Sequence, residues 1–73
     1  MRYLLVVHKK DCIEYAKSFA HSDIFMAAAN EWISRIGANA IVTSSDISSI
    51  EASGHLVVQN SMSGVGVTLM TEN

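Results

Sequence analysis

The clearest hydrophobic pattern in the chain lies between residues 21 and 37, where apolar side chains recur at helical spacing. At about 100° per residue, this pattern places an apolar stripe on one side of a helix and polar residues on the other. Ser22 is a good N-cap residue, Arg35 suits the end of the helix dipole, and Gly37 suits a left-handed C-terminal position. We therefore predict one amphipathic helix. Its predicted buried stripe consists of Phe25, Ala28, Ala29, Trp32 and Ile36.

The two aromatic residues of this helix could belong either to a binding site or to the core. Phe25 and Trp32 are seven positions apart, which puts both side chains on the same side of the helix. That side is the predicted buried stripe, so we assign both residues to the hydrophobic core. Three residues beside the stripe remain as possible contacts with a second surface: Ile24, Met26 and Ile33.

Two β-type segments precede the helix. Residues 2–8 are apolar on both faces, as in a central strand with a helix on one side and more protein on the other. Residues 12–20 fit a strand that pairs with the first strand, or a helix in which Asp11 is the N-cap and Glu14 completes a capping box. We favour the strand because Ser22 is well placed to begin a new helix.

Further strands are predicted after the helix. Residues 39–44 contain consecutive β-branched side chains, which favour a short strand, whereas residues 44–53 predict a loop with one helical turn. Residues 54–60 and 64–70 predict a hairpin, and the last strand could pair with another chain if it lies at the sheet edge. Gly66 weakens that strand and indicates either a bulge or a close backbone approach.

These segments together predict an α+β domain of order ββαβββ, with one amphipathic helix packed on a mainly antiparallel sheet. No proline, repeat or low-complexity tract indicates a linker, so we expect residues 1–73 to form a single small domain. A chain of this size buries only about 60% of the surface that it exposes when unfolded. Small domains of this kind often gain stability from a disulfide, a metal or oligomerisation.

The composition favours self-association. Hydrophobic residues make up 49% of the chain and charged residues only 16%, against a usual charged fraction of ~25%. We therefore expect more apolar surface than a small monomer can bury, and a homodimer as the result. Cys12 is the only cysteine, which fits a reducing compartment. No apolar run approaches the ~20 residues of a membrane span, and no secretory signal is indicated, so we expect a cytoplasmic protein without a membrane partner.

Charge and motif spacing disfavour several kinds of chemistry. A net charge of −2 with one lysine pair, Lys9 and Lys10, falls short of the basic face that nucleic-acid binding requires. No CxxC or HxxxH spacing indicates a metal site, and no GxSxG motif indicates a serine hydrolase. Gly64 and Gly66 are not followed by the helical pattern of a phosphate loop. We therefore expect no enzyme, no metal, no cofactor and no direct nucleic-acid partner.

Two functional hypotheses remain. The first is a small non-enzymatic protein-binding module, most concretely an inhibitor or accessory protein of the phage or mobile-element type, for example anti-CRISPR-like, that covers a partner protein's surface. It rests on the apolar composition and on the expectation that no substrate cleft of ~300 Å³ fits beside the core. The alternative is a dimeric small-ligand-binding protein or enzyme with a pocket built between subunits. Its chemistry would come from His8, Cys12, His21 or His55.

The protein-binding hypothesis selects six candidate contact residues in predicted turns and loops. Each also has a purely structural interpretation: the isoleucines would close one end of the core, the lysines would solvate a turn, and the methionine would lie at a hairpin tip. The six candidates are His8, Lys9, Lys10, Ile47, Ile50 and Met62.

Overall fold

Four strands and two helices follow one another in the order ββααββ. The computed structural model describes residues 1–72. The elements are β1 (Arg2–Lys9), β2 (Cys12–Phe19), α1 (Ser22–Arg35), α2 (Ser44–Ser53), β3 (His55–Asn60) and β4 (Val65–Glu72). The strands form one sheet in the order β2-β1-β4-β3, with every neighbouring pair antiparallel. The α+β class is therefore confirmed, although the element order differs from the predicted one.

Both helices pack on the same face of the sheet and enclose the core there. On β1 the side chains of Tyr3, Leu5 and Val7 are buried against the helices, while the alternate residues Leu4 and Val6 are only half-buried on the other face. The prediction of a central first strand is confirmed, and so is the prediction that residues 12–20 form its hairpin partner. The core consists of Tyr3, Leu5, Val7, Phe19, Phe25, Ala29, Ile33, Val42, Ile47, Ile50, Val67 and Leu69.

Helix α1 begins at Ser22, so its N-cap is His21 and not the predicted Ser22. The helix also turns a slightly different side to the sheet than the sequence predicted. Its buried line is Phe25, Ala29 and Ile33, spaced by four, so Ile33 is a core residue and not a spare contact. Trp32 lies at the margin of the core and is half-buried. The helix is fixed in this rotation because the Phe25 ring stacks on Tyr3 and packs against Phe19, with centroid separations of 5.1 and 5.9 Å.

The predicted third strand at residues 39–44 is wrong. These residues connect the helices, and Val42 is buried without joining the sheet. The side chain of Asn30 accepts a hydrogen bond from the Val42 N–H (2.7 Å) and donates one to its carbonyl (3.0 Å). Because this amide satisfies both backbone groups, the β-branched segment enters the core without a neighbouring strand.

The second helix replaces the predicted loop. Helix α2 runs for 10 residues, from Ser44 to Ser53. Its N-cap is Thr43, whose N–H and side chain both pair with Asp46 in a capping box, and its C-cap is Gly54 with φ 97°. Ile47 and Ile50 fix its buried side, so the serines occupy exposed positions where their weak helix propensity is tolerated. Within residues 1–72, neither helix combines the length and apolar character that a bilayer crossing needs.

The last strand lies inside the sheet and not at its edge. It is therefore not available to pair with another chain, which the sequence had left possible. Strand β4 lies between β1 and β3, so the sheet edges are β2 and β3. Gly66 pairs in unbroken register with His8 on one side and Gln59 on the other, and the irregularity of the sheet lies instead between Val7 and His8 where β1 meets β2. Gly66 therefore marks a close approach and not a bulge.

Candidate interaction surface

No element described in residues 1–72 covers the second face of the sheet. We call this surface the open face. The strand registers assign its members, because alternate residues of each strand point away from the helices. Its members are Arg2, Leu4, Val6, His8, Ile13, Ala16, Ser18, His55, Val57, Gln59, Gly66, Thr68, Met70 and Glu72.

The centre of the open face is aliphatic. Leu4 and Val6 of β1 pair with Met70 and Thr68 of β4, and Val57 of β3 lies next to Thr68 with 44% of its surface exposed. An antiparallel sheet with one face in water usually alternates apolar residues on the core side with polar residues on the solvent side. Four aliphatic side chains on the two central strands and one edge strand depart from that pattern, as expected of a surface that another protein covers.

One end of the open face is shaped by a glycine. A Cβ added at Gly66 would lie 2.6 Å from His8 Cε1 and 2.9 Å from His8 Nε2, so the imidazole ring lies directly over the glycine. This position brings His8 Nε2 within 3.0 Å of Thr68 Oγ1. The absence of a side chain at Gly66 thus lets His8 lie across the strand pair, where it forms the polar border of the aliphatic centre.

The opposite end is held by a chain of polar side chains across three strands. The Arg2 Nε donates to Ser18 Oγ at 3.1 Å, and Ser18 Oγ donates to Glu72 Oε2 at 2.8 Å. The chain links β1, β2 and β4 and places one positive and one negative group close together. The aliphatic centre therefore lies between two polar ends and carries no ionised side chain of its own.

Four of the six predicted contact residues meet at one end of the sheet. The β1–β2 turn and the β3–β4 turn lie side by side there, with the Lys10 N–H donating to the Gly64 carbonyl at 3.4 Å. Lys9 is exposed at the end of β1 with its side chain on the helix side of the sheet, Lys10 is exposed in the first turn, and Met62 is 97% exposed in the second. His8 lies just inside this end on the open face, so the hairpin tips extend the same surface.

The remaining two predicted contacts, Ile47 and Ile50, belong to the core. Their exposed fractions are 6% and 0%, and both side chains face the sheet from α2. Their spacing of three was interpreted as one helical turn within a loop, whereas it belongs to a helix of 10 residues that buries one side. These two residues support the fold and are not available to a partner.

The residues required by the alternative hypothesis are not brought together. His8 and Cys12 lie at the hairpin-tip end of the sheet but on opposite faces, because Cys12 pairs with Lys9. His21 precedes α1 at the other end, where His55 also begins β3. Across residues 1–72, no group of three His, Cys, Asp or Glu side chains is placed to hold a metal ion.

A groove lies between β2 and α1, although the sequence predicted that no substrate-sized cleft would fit beside the core. Its volume is about 440 Å³, so a cleft above ~300 Å³ does fit on this small domain. Trp32 packs against Tyr15 with a centroid separation of 5.0 Å, and the Arg35 guanidinium lies 4.8 Å from the Trp32 ring while pairing with Glu31 at 2.6 Å. Lys17 on β2 completes the rim of this open groove.

Sequence reasoning missed the residues at the centre of the open face. The apolar character of both faces of residues 2–8 was the available signal, but Met70, Val57 and Thr68 join Leu4 only through the order of the strands in the sheet. Comparison with protein-family models, with curated proteins and with solved structures finds no match to this chain.

Proposed function

We propose that the chain is a non-enzymatic protein-binding module and that the open face is its contact surface. The observation that carries the proposal is the aliphatic centre formed by Leu4, Val6, Met70 and Val57 on a sheet face that no described element covers. Burying an aliphatic side chain yields about 25 cal/mol per Å² of apolar surface removed from water. The face therefore offers a favourable binding energy that the folded chain leaves unused.

The charges around the open face indicate the chemistry of the partner. The centre is uncharged, and Arg2 and Glu72 are bridged through Ser18 at one end. At the other end, Lys10 is exposed in the β1–β2 turn, and neither Lys9 nor Lys10 forms a salt bridge within residues 1–72. The proposed partner is therefore a protein with an apolar patch at its centre and carboxylates near the hairpin tips, in the cytoplasm as the single cysteine suggests. Action as an inhibitor or accessory protein remains a more specific form of this proposal.

The test is capture of a stoichiometric partner from lysate, repeated with variants that alter only the open face. Val6→Lys places a charge in the aliphatic centre, while Ile41→Lys introduces the same side chain at a site that is 77% exposed in the connection between the helices. Val6→Thr replaces one methyl group by a hydroxyl and keeps the β-branched shape. Circular dichroism establishes that each variant is folded before capture is compared.

The proposal predicts a captured partner that Val6→Lys loses, that Val6→Thr binds more weakly, and that Ile41→Lys retains. A partner that binds all three variants equally contradicts the proposal, as does the absence of any stoichiometric partner. If Val6→Lys does not fold, Val6→Thr decides the outcome. It alters the same surface, and its β-branched side chain fits a strand as well as valine does.

A further inference from the structure

The two edges of the sheet are protected to very different degrees. Strand β2 meets β1 through a register shift and carries the charged residues Glu14 and Lys17. Bulges and charged side chains are the usual means by which proteins prevent an edge strand from pairing with another chain. Strand β3, His55–Asn60, has no Asp, Glu, Lys, Arg or Pro, and its register with β4 is unbroken. It has the properties of an edge that accepts a further strand.

The backbone groups that β3 directs outward can be assigned from its hairpin. The Thr71 N–H donates to the Gly54 carbonyl at 3.2 Å, which fixes the phase of the ladder between β3 and β4. Bonded and non-bonded pairs alternate in an antiparallel ladder. Because Gly54 forms a bonded pair with Thr71, the backbone groups of Leu56, Val58 and Asn60 also face β4, and those of His55, Val57 and Gln59 face the free edge. Within residues 1–72 these groups have one partner, Ser53 Oγ, which donates to the His55 carbonyl at 3.3 Å.

We propose that β3 pairs antiparallel with β3 of a second copy of this chain, about a two-fold axis at Val57. Each Val57 then lies opposite its counterpart, and each His55 lies opposite the Gln59 of the other copy. The three facing pairs exchange about six backbone hydrogen bonds. No charged side chains oppose one another, because the net charge of −2 comes entirely from residues outside β3.

This pairing would join two four-stranded sheets into one continuous sheet. The side chains of His55, Val57 and Gln59 belong to the open face, so the open faces of the two copies become neighbours on one surface. A second copy is favoured over a foreign strand because the edge is complementary to itself in hydrogen bonding and in charge. The inference goes beyond the proposed function and does not depend on it, since it concerns the edge backbone.

The experiment is sedimentation velocity of the full chain over a range of concentrations. Wild type is expected to approach twice the chain mass of 7.9 kDa. Val57→Lys and Val57→Glu each set like charges opposite one another at the axis, so each should associate at least about tenfold more weakly. An equimolar mixture of the two variants should recover the dimer, because Lys then faces Glu.

Ala16→Lys is the matched control, since it introduces the same side chain at an exposed open-face position on the other edge. It should leave the dimer mass unchanged, and so should Val6→Lys on the central strand. A wild-type chain that is monomeric at all concentrations overturns the inference, as does a dimer that survives both Val57 variants or fails to recover in their mixture. Loss of partner capture by Val6→Lys with an intact dimer separates this inference from the proposed function.

Discussion

The contact between Gly66 and His8 gives a prediction whose sign depends on a second residue. In Gly66→Ala the added Cβ would lie 2.6 Å from His8 Cε1, too close for either atom to stay in place. The imidazole would have to swing away, and its 3.0 Å hydrogen bond with Thr68 Oγ1 would be lost. Losing this bond costs about 1 kcal/mol, whereas replacing a strand glycine by alanine contributes roughly 0.5–1 kcal/mol in the opposite direction.

The lost hydrogen bond and the gain from replacing glycine nearly cancel in wild type. The informative quantity is therefore the coupling free energy between Gly66→Ala and His8→Ala in a double-mutant cycle. In His8→Ala the close contact is gone, and the nearest remaining atom to the new methyl group is Gln59 Cγ at 3.3 Å. Gly66→Ala should therefore stabilise the His8→Ala protein by roughly 0.5–1 kcal/mol while having little effect on wild type. The expected coupling is about 1 kcal/mol, equivalent to about 4–8 °C in Tm for a domain of this size.

The assay is urea unfolding of the four proteins of the cycle, with free energies extrapolated to water. Gly64→Ala is the matched control, because Gly64 has a φ of 71° and no atom within 4 Å of its added Cβ. Its cost comes from backbone strain and should be the same with and without His8. A coupling between Gly66 and His8 below about 0.3 kcal/mol would refute the close approach and the role of glycine in shaping the open face.

Three further predictions concern the fold and its pH dependence. Asn30→Ala leaves the buried backbone N–H and carbonyl of Val42 without their partner, so urea unfolding should show a loss of about 2 kcal/mol. Ile50→Ala opens a cavity beneath α2 and should cost about 2–5 kcal/mol in thermal unfolding. Burial, followed by the hydrogen bond that the phenol donates to Glu51, raises the pKa of Tyr3 above its usual value of 10.0. The folded state therefore holds this proton more tightly, and the associated stability is present below pH 10 and lost as pH rises through the folded pKa. Tyr3→Phe should remove this alkaline loss in unfolding measured across pH.

The first two of these predictions have a control variant within the chain. Asn39→Ala changes an exposed amide in the connection between the helices, and Met62→Ala changes a side chain that is 97% exposed; each should alter stability by less than about 0.5 kcal/mol. If Asn30→Ala costs no more than Asn39→Ala, the amide does not hold the connection. A loss from Ile50→Ala no larger than that from Met62→Ala would contradict the buried position of Ile50. An unchanged alkaline profile in Tyr3→Phe would contradict the raised pKa of Tyr3.

The elements with strong local signals could be predicted from sequence. The helix that contains Phe25, the first strand and the final hairpin all have a clear period and clear end signals. The predictions for residues 39–44 and 44–53 were wrong for a shared reason. The β-branched residues around Val42 are held by a side chain from α1, and α2 owes its position to the burial of Ile47 and Ile50, both of which are long-range effects.

The candidate surface was predictable only in part. The hairpin tips could be selected from sequence because Lys9, Lys10 and Met62 lie in segments with turn composition. The aliphatic centre could not, because Leu4 and Met70 are far apart in the chain and become neighbours only through the pairing of β1 with β4. The role of Gly66 likewise requires the register that sets it opposite His8.

The most direct test of the open face as a contact surface is methyl NMR of the labelled chain with its captured partner. Cross-saturation from the partner should reach the methyl groups of Leu4, Val6 and Met70, because they lie at the centre of the proposed contact. The methyl groups of Ile24, which is exposed on α1 away from this face, should be unaffected. Saturation of Ile24 with no effect at Leu4, Val6 and Met70 would contradict the account and place the contact on the helical side.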